Sequence, residues 1–130
     1  MNTKALMTTA AIFLGVGGIL MIFAPDELAA YLGLEDSQIV SVLIQMMGGL
    51  YFGFAMLNWM NKGRPIGGIY NRPVVIANLS HFLISGLALL KSVSKIVNPP
   101  IFLWALVFLY LFFAITFGIL LFRHPSAEKA

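Results

Sequence analysis

The sequence predicts an all-α protein: a four-helix transmembrane bundle with a short interfacial helix between spans one and two. Three observations predict it. Four apolar runs, 7–23, 39–60, 74–90 and 101–122, each approach or exceed the roughly 20 residues that cross about 30 Å of hydrocarbon. Lipid offers backbone N–H and C=O groups no partners, so runs of this length must be helical. Charged residues make up 10% of the chain and hydrophobic ones 60%, a balance that excludes a soluble domain. The whole of 1–130 reads as one membrane domain with spans at about 5–24, 38–61, 73–91 and 100–123.

Span one begins after Lys4. Its apolar run is longer than the 7–15 residues of a signal-peptide core and Pro25 follows directly, so we expect a retained span. Pro25 can open the short interfacial helix because its missing N–H is not needed there. Asp26 and Glu27 suit the positive end of that helix, and Gly33 can close it. Leu28, Tyr31 and Leu32 then share one face. Span two carries small and polar residues at Ser41, Gln45, Gly48, Gly49 and Gly53, and Gly63 can end it. The connection 61–73 is rich in turn residues and carries Lys62, Arg64 and Arg72 at the depth of the headgroups. Asn71 before Pro73 can start span three, and Asn98-Pro99-Pro100 can start span four.

Small residues line the other spans too. Ala11, Gly15 and Gly18 recur on span one, and Ala114 and Gly118 on span four. On span three, Ala77, Asn78, His81, Ser85 and Ala88 form a stripe centred on His81. In lipid such residues let backbones approach and gain dispersion contacts, so these stripes are expected to meet other helices. Span four is aromatic in every direction. Its rings, Tyr110, Phe113 and Phe117 among them, point all round the helix, so some must face lipid; ordinary lipid contact is expected and not a cofactor box, with Trp104 and Trp59 at the two interfaces.

Charge sets the orientation. Of the eight Lys and Arg residues, Lys4, Lys62, Arg64, Arg72, Arg123 and Lys129 fall on one side, and Lys91 and Lys95 on the other. The six-residue side is expected to be cytoplasmic, with both termini inside. Four of the five acids, Asp26, Glu27, Glu35 and Asp36, fall in the first loop on the opposite side. The net charge of +3 therefore records topology and implies no nucleic acid.

No Asp, Glu, Lys or Arg lies in the middle of any span. That disfavours proton-coupled exchangers and the membrane enzymes that use intramembrane acids. The chain has no cysteine, so thiol chemistry and Cys-ligated clusters are excluded. The polar residues left are Gln45, Tyr51, Asn58, Asn78, His81, Ser85 and Thr116. At about 1.5 Å per residue, His81 lies roughly 12 Å from the inner end of span three and Asn78 roughly 7–8 Å from it, near the levels of Tyr51 and Thr116. His81 is expected to be uncharged, since a buried cation with no carboxylate in reach costs several kcal/mol. His124 lies at the surface, so one chain cannot clamp a haem with two imidazoles, and no second strong metal ligand accompanies His81. No catalytic residue, metal or cofactor is expected.

Two readings of function follow. The first is a non-enzymatic membrane protein that acts by helix packing, as an accessory subunit to a membrane-protein partner or as a homo-oligomer. The second is a carrier or binder of a quinone, lipid or similar amphiphile, through a cytoplasmic-half polar pocket of His81, Asn78, Tyr51, Asn58, Thr116 and Gln45.

The arrangement resembles the small bacterial inner-membrane proteins grouped as DoxX-like. The similarity lies in Phe23-Ala24-Pro25-Asp26-Glu27-Leu28 leading to Leu32-Gly33-Leu34, in Gly48-Gly49 with Gly53, and in the loop 63–73 followed by Asn78 and His81. The resemblance implies the four-span fold and a bacterial inner-membrane location. Some such proteins are linked to quinone-coupled sulfur oxidation, but no catalytic residue of theirs carries over to a position here.

Overall fold

The computed structural model describes residues 2–123. His124 and Lys129, which entered the haem and charge arguments, lie outside the described residues. The described chain is helical: α1 (Thr3–Phe23), α2 (Pro25–Tyr31), α3 (Gln38–Asn61), α4 (Arg72–Val93) and α5 (Ile101–Phe122). Four of these are long and apolar enough to cross a bilayer, as an integral multi-pass membrane protein requires. The chain divides into two compact units, Met1–Arg64 and Pro65–Ala130.

In the first unit α1 pairs with α3, and α2 rests on both. The Asn2 side chain caps α1 by accepting a hydrogen bond from the Ala5 N–H at 3.1 Å. Helix α2 starts at Pro25 and ends where Gly33 turns left-handed, at φ 68°, so that the Leu34 N–H reaches the Ala29 carbonyl at 2.9 Å. It buries Pro25 and Ala29, with Tyr31 exposed on its other face and Leu32, the capping residue, exposed at its end. The α1–α3 seam is a backbone contact. A Cβ built on Gly18 would fall 2.9 Å from the Gly48 carbonyl oxygen, and one built on Gly48 would fall 2.8 Å from the Met21 Cβ.

The small-residue stripe expected on α3 splits here. Adjacent residues on a helix point about 100° apart, so Gly48 and Gly49 cannot enter one seam. Gly48 is buried with Ile44, Ala55 and Asn58, whereas Gly49 and Gly53 have nothing beyond their own helix within 4 Å. Nor does Gly63 end α3. The helix stops at Asn61, with Lys62 as an ordinary right-handed cap at φ −59° and the Arg64 N–H bonded to the Asn61 carbonyl.

In the second unit α4 pairs with α5. The buried face of α4 is Val75, Asn78, Phe82, Gly86 and Val93, centred on Phe82, so His81 sits about 100° round from its centre. Gly86 lets α5 approach: a Cβ there would lie 3.3 Å from the Tyr110 Cβ. Helix α5 buries Val107, Tyr110, Phe113, Ala114, Phe117 and Leu120 at helical spacing and leaves Phe108, Phe112 and Phe122 exposed. The expectation of lipid contact therefore holds for the second set of rings, while Tyr110, Phe113 and Phe117 belong to the seam.

The loop between Pro65 and Asn71 is built against the C-terminal end of α5. Gly67 and Tyr70 exchange backbone hydrogen bonds at 3.0 Å each, and the Gly68 N–H donates to the Leu120 carbonyl at 3.4 Å. The Leu120 carbonyl, which also accepts from the Arg123 N–H at 3.3 Å, thus ties the loop to the helix end. Only glycine fits at 67, where φ is 127° and a Cβ would fall 2.5 Å from the Arg123 carbonyl oxygen. Asn71 caps the start of α4 with a left-handed backbone, φ 49°. Its side-chain amide turns back to donate to the Pro65 carbonyl at 2.7 Å, which closes the loop on itself.

Candidate functional site

The six residues read as a polar pocket fall three and three between the units. Gln45, Tyr51 and Asn58 belong to α3 of the first, and Asn78, His81 and Thr116 to α4 and α5 of the second.

Gln45 is exposed near the α2 end of α3, where its Nε2 donates to the Ile22 carbonyl at 3.3 Å and ties α3 to the end of α1. The Tyr51 ring lies against α1, with its Cδ1 3.4 Å from where a Cβ of Gly17 would stand. Asn58 is fully buried, and its Nδ2 donates to the Phe54 carbonyl of its own helix at 2.9 Å. Near it at the same helix end, the Lys62 ammonium stands 2.9 Å from the centroid of the Trp59 ring. That cation–π contact ties the two side chains together at the end of α3.

In the second unit the polar groups lean on backbone and on rings. Asn78, also fully buried, donates from Nδ2 to the Val74 carbonyl at 2.9 Å. The Thr116 hydroxyl donates to the Phe112 and Phe113 carbonyls at 3.0 and 2.9 Å. This back-bonding removes the hydroxyl's donor from solvent or lipid without a second helix. His81 is half-buried among aromatic rings. Its imidazole meets Phe82 edge-on at 5.1 Å and Tyr110 at 5.8 Å with a 48° tilt. Phe82 in turn stacks on Phe113 at 4.7 Å and lies parallel to Phe117 at 5.9 Å. Such offset and edge contacts satisfy the ring quadrupoles and add to plain burial.

Tyr110 is a buried polar group that the list of intramembrane polar residues omitted. It is 2% exposed and is the ring of α5 that comes against His81. A tyrosine near the middle of an otherwise apolar span was the available signal, because a buried phenol needs a partner that a phenylalanine does not. Imidazole and phenol together offer donors and acceptors beside a wall of rings. That is chemistry for hydrogen bonding and stacking. Among the described residues no group of three His, Cys, Asp or Glu is placed to hold a metal ion.

Comparison with protein families, with curated proteins and with solved structures returns no match for the chain.

Proposed function

We propose that the protein acts through helix packing, as a homo-oligomer or as the accessory subunit of a membrane complex. The row that carries this reading is the open glycine row of α3. Gly49 and Gly53 stand one turn apart on the face that α1 leaves uncovered, flanked by Met46, Leu50 and Met60 at 64%, 66% and 72% exposure. In lipid a small-x-x-x-small row gives a second helix a close approach, and flexible methionines adapt to the partner's surface. The same property on Gly18 and Gly48 is already used inside the first unit.

The chain has no native thiol, so a single cysteine can form a disulfide only with another molecule. Gly53→Cys should give a cross-linked species in native membranes, and purification in mild detergent should give a mass above that of the monomer. A strictly monomeric protein with nothing co-purifying, and no cross-link at Gly53→Cys, would overturn the proposal.

The setting we infer is a bacterial inner membrane, with a DoxX-like four-span topology and both termini in the cytoplasm. The six-to-two partition of Lys and Arg supports the orientation. Ser37, at the start of α3, and Lys62, at its end, then lie on opposite sides. In intact cells Ser37→Cys should react with an impermeant maleimide and Lys62→Cys should not. Equal labelling of the two would exclude a single orientation.

A further inference from the structure

We propose that the loop 65–71 of the second unit is an interfacial anchor that seats Ile69 and Tyr70 in an anionic lipid surface, with Arg72 and Arg123 on its phosphates. The loop holds one isoleucine inside the unit and another outside. Ile66 is 1% exposed, whereas Ile69 is 73% exposed and Tyr70 beside it 51%. The exposed pair stands on a closed backbone: Gly67 and Tyr70 exchange hydrogen bonds at 3.0 Å, and the Asn71 side-chain amide donates to the Pro65 carbonyl at 2.7 Å. The tip is therefore presented in one shape, and little freedom is left to lose when it meets a surface.

The depth of the tip follows from α5. Its 22 residues are about 33 Å long at about 1.5 Å each, against about 30 Å of hydrocarbon, so its last turn ends at the boundary. Leu120 lies in that turn, and the Gly68 N–H bonds to its carbonyl at 3.4 Å, which puts the loop at the same boundary. Irregular backbone at that depth needs partners within the protein, and these bonds supply them for Gly67, Gly68 and Tyr70. An isoleucine beside a tyrosine, whose apolar ring carries a polar tip, suits the zone between acyl chains and headgroups.

Charge names the lipid. Arg72 opens α4 directly after the loop and Arg123 caps α5, and both are exposed. The loop touches the second of them, since a Cβ on Gly67 would fall 2.5 Å from the Arg123 carbonyl oxygen. Among its described residues the second unit has no Asp or Glu, so neither guanidinium has a carboxylate within it. A lipid phosphate, which a guanidinium holds through two parallel hydrogen bonds, is the complementary anion. In a zwitterionic headgroup that phosphate is balanced by its own cation, whereas an anionic lipid leaves it free to attract arginine. Contact of this kind requires neither the cytoplasmic orientation nor an oligomer.

The chain has no native thiol, so a nitroxide attached at Ile69→Cys reports on the tip alone. The full-length protein is placed in vesicles of phosphatidylcholine with and without phosphatidylglycerol. Collisions of the label with oxygen, which concentrates in hydrocarbon, are compared with those of a neutral, water-soluble nickel chelate. With phosphatidylglycerol present, the oxygen-to-nickel ratio should exceed that of the free nitroxide in the same suspension. Each arginine near an anionic surface should favour the seated tip over the free one by about fivefold. Arg72→Gln with Arg123→Gln should therefore remove the difference between the two kinds of vesicle. A label open to the nickel chelate in both places the tip in water, where only a soluble partner meets it, and overturns the proposal. Equal protection in the two vesicles, or a double variant that keeps the wild-type dependence on phosphatidylglycerol, overturns it as well. The comparison of vesicles stands whether or not the double variant folds.

Discussion

Gly48→Leu should break the pairing of α1 with α3. The atoms that face Gly48 are the Gly18 carbonyl oxygen and the Met21 Cβ, at 2.9 and 2.8 Å from the position of a new Cβ, and neither is the far end of a flexible side chain. The strain can be relieved only by moving the helix axes apart. That would also open the contacts of Gly18 with the Gly48 carbonyl and the Phe52 backbone, where a Cβ on Gly18 would likewise fall at 2.9 Å. Overpacking of a close-packed seam typically costs about 1–3 kcal/mol, and a backbone-to-backbone seam belongs at or above the upper end. Thermal unfolding of the purified protein in detergent measures it. The control is Met47→Leu, one residue back, at a side chain 49% exposed and outside the Gly49–Gly53 row, where the change should stay within about 0.5 kcal/mol. Equal unfolding temperatures for the two variants would mean that the glycine contact does not hold the first unit together.

The second unit should fail at a different kind of contact, and Phe82→Ala is its counterpart. Phe82 has no exposed surface and contacts His81, Tyr110, Phe113 and Phe117, with centroids 4.7–5.9 Å away. In a water-soluble core this truncation costs about 3–5 kcal/mol, part of it the transfer of the ring out of water. A span in lipid lacks that part but keeps the cavity and the lost dispersion contacts, so the expected loss is about 2–3 kcal/mol. Phe108→Ala, on the lipid-facing side of α5 at 71% exposure, should be close to neutral. If both alanine variants unfold together with the wild type, the aromatic seam does not stabilise the unit.

These two contacts also show where the sequence could be read and where it could not. Span limits came within a few residues, because hydrocarbon forces any apolar run of that length to be a helix. The short helix after Pro25 was legible for a local reason, a proline at one end and Gly33 at the other. What the pattern could not carry was rotation. A soluble helix declares its buried face by the contrast of polar and apolar residues, but a lipid-facing surface is as apolar as a seam, so Tyr110, Phe113 and Phe117 looked like Phe108, Phe112 and Phe122. Small residues gave only half an answer: Gly48 and Gly49 are adjacent, and a stripe drawn through both straddles two faces. Centring α4 on His81 missed by one residue for the same reason, since Phe82 beside it is indistinguishable from a lipid contact until α5 is in place. The polar set was read by depth alone, and depth does not reveal that Asn58, Asn78 and Thr116 each also donate to a carbonyl of their own helix.

The small knot between Pro65 and Asn71 has a consequence for the order in which the chain is made. Its outward-reaching hydrogen bond, from Gly68, ends on Leu120, near the end of the last span. When α4 has been synthesised, the turn therefore still lacks the surface on which it docks. The turn can take its final form only when synthesis is nearly complete. A chain cut short before Leu120 leaves it undocked at the membrane surface, where proteases that survey unfinished products can reach it.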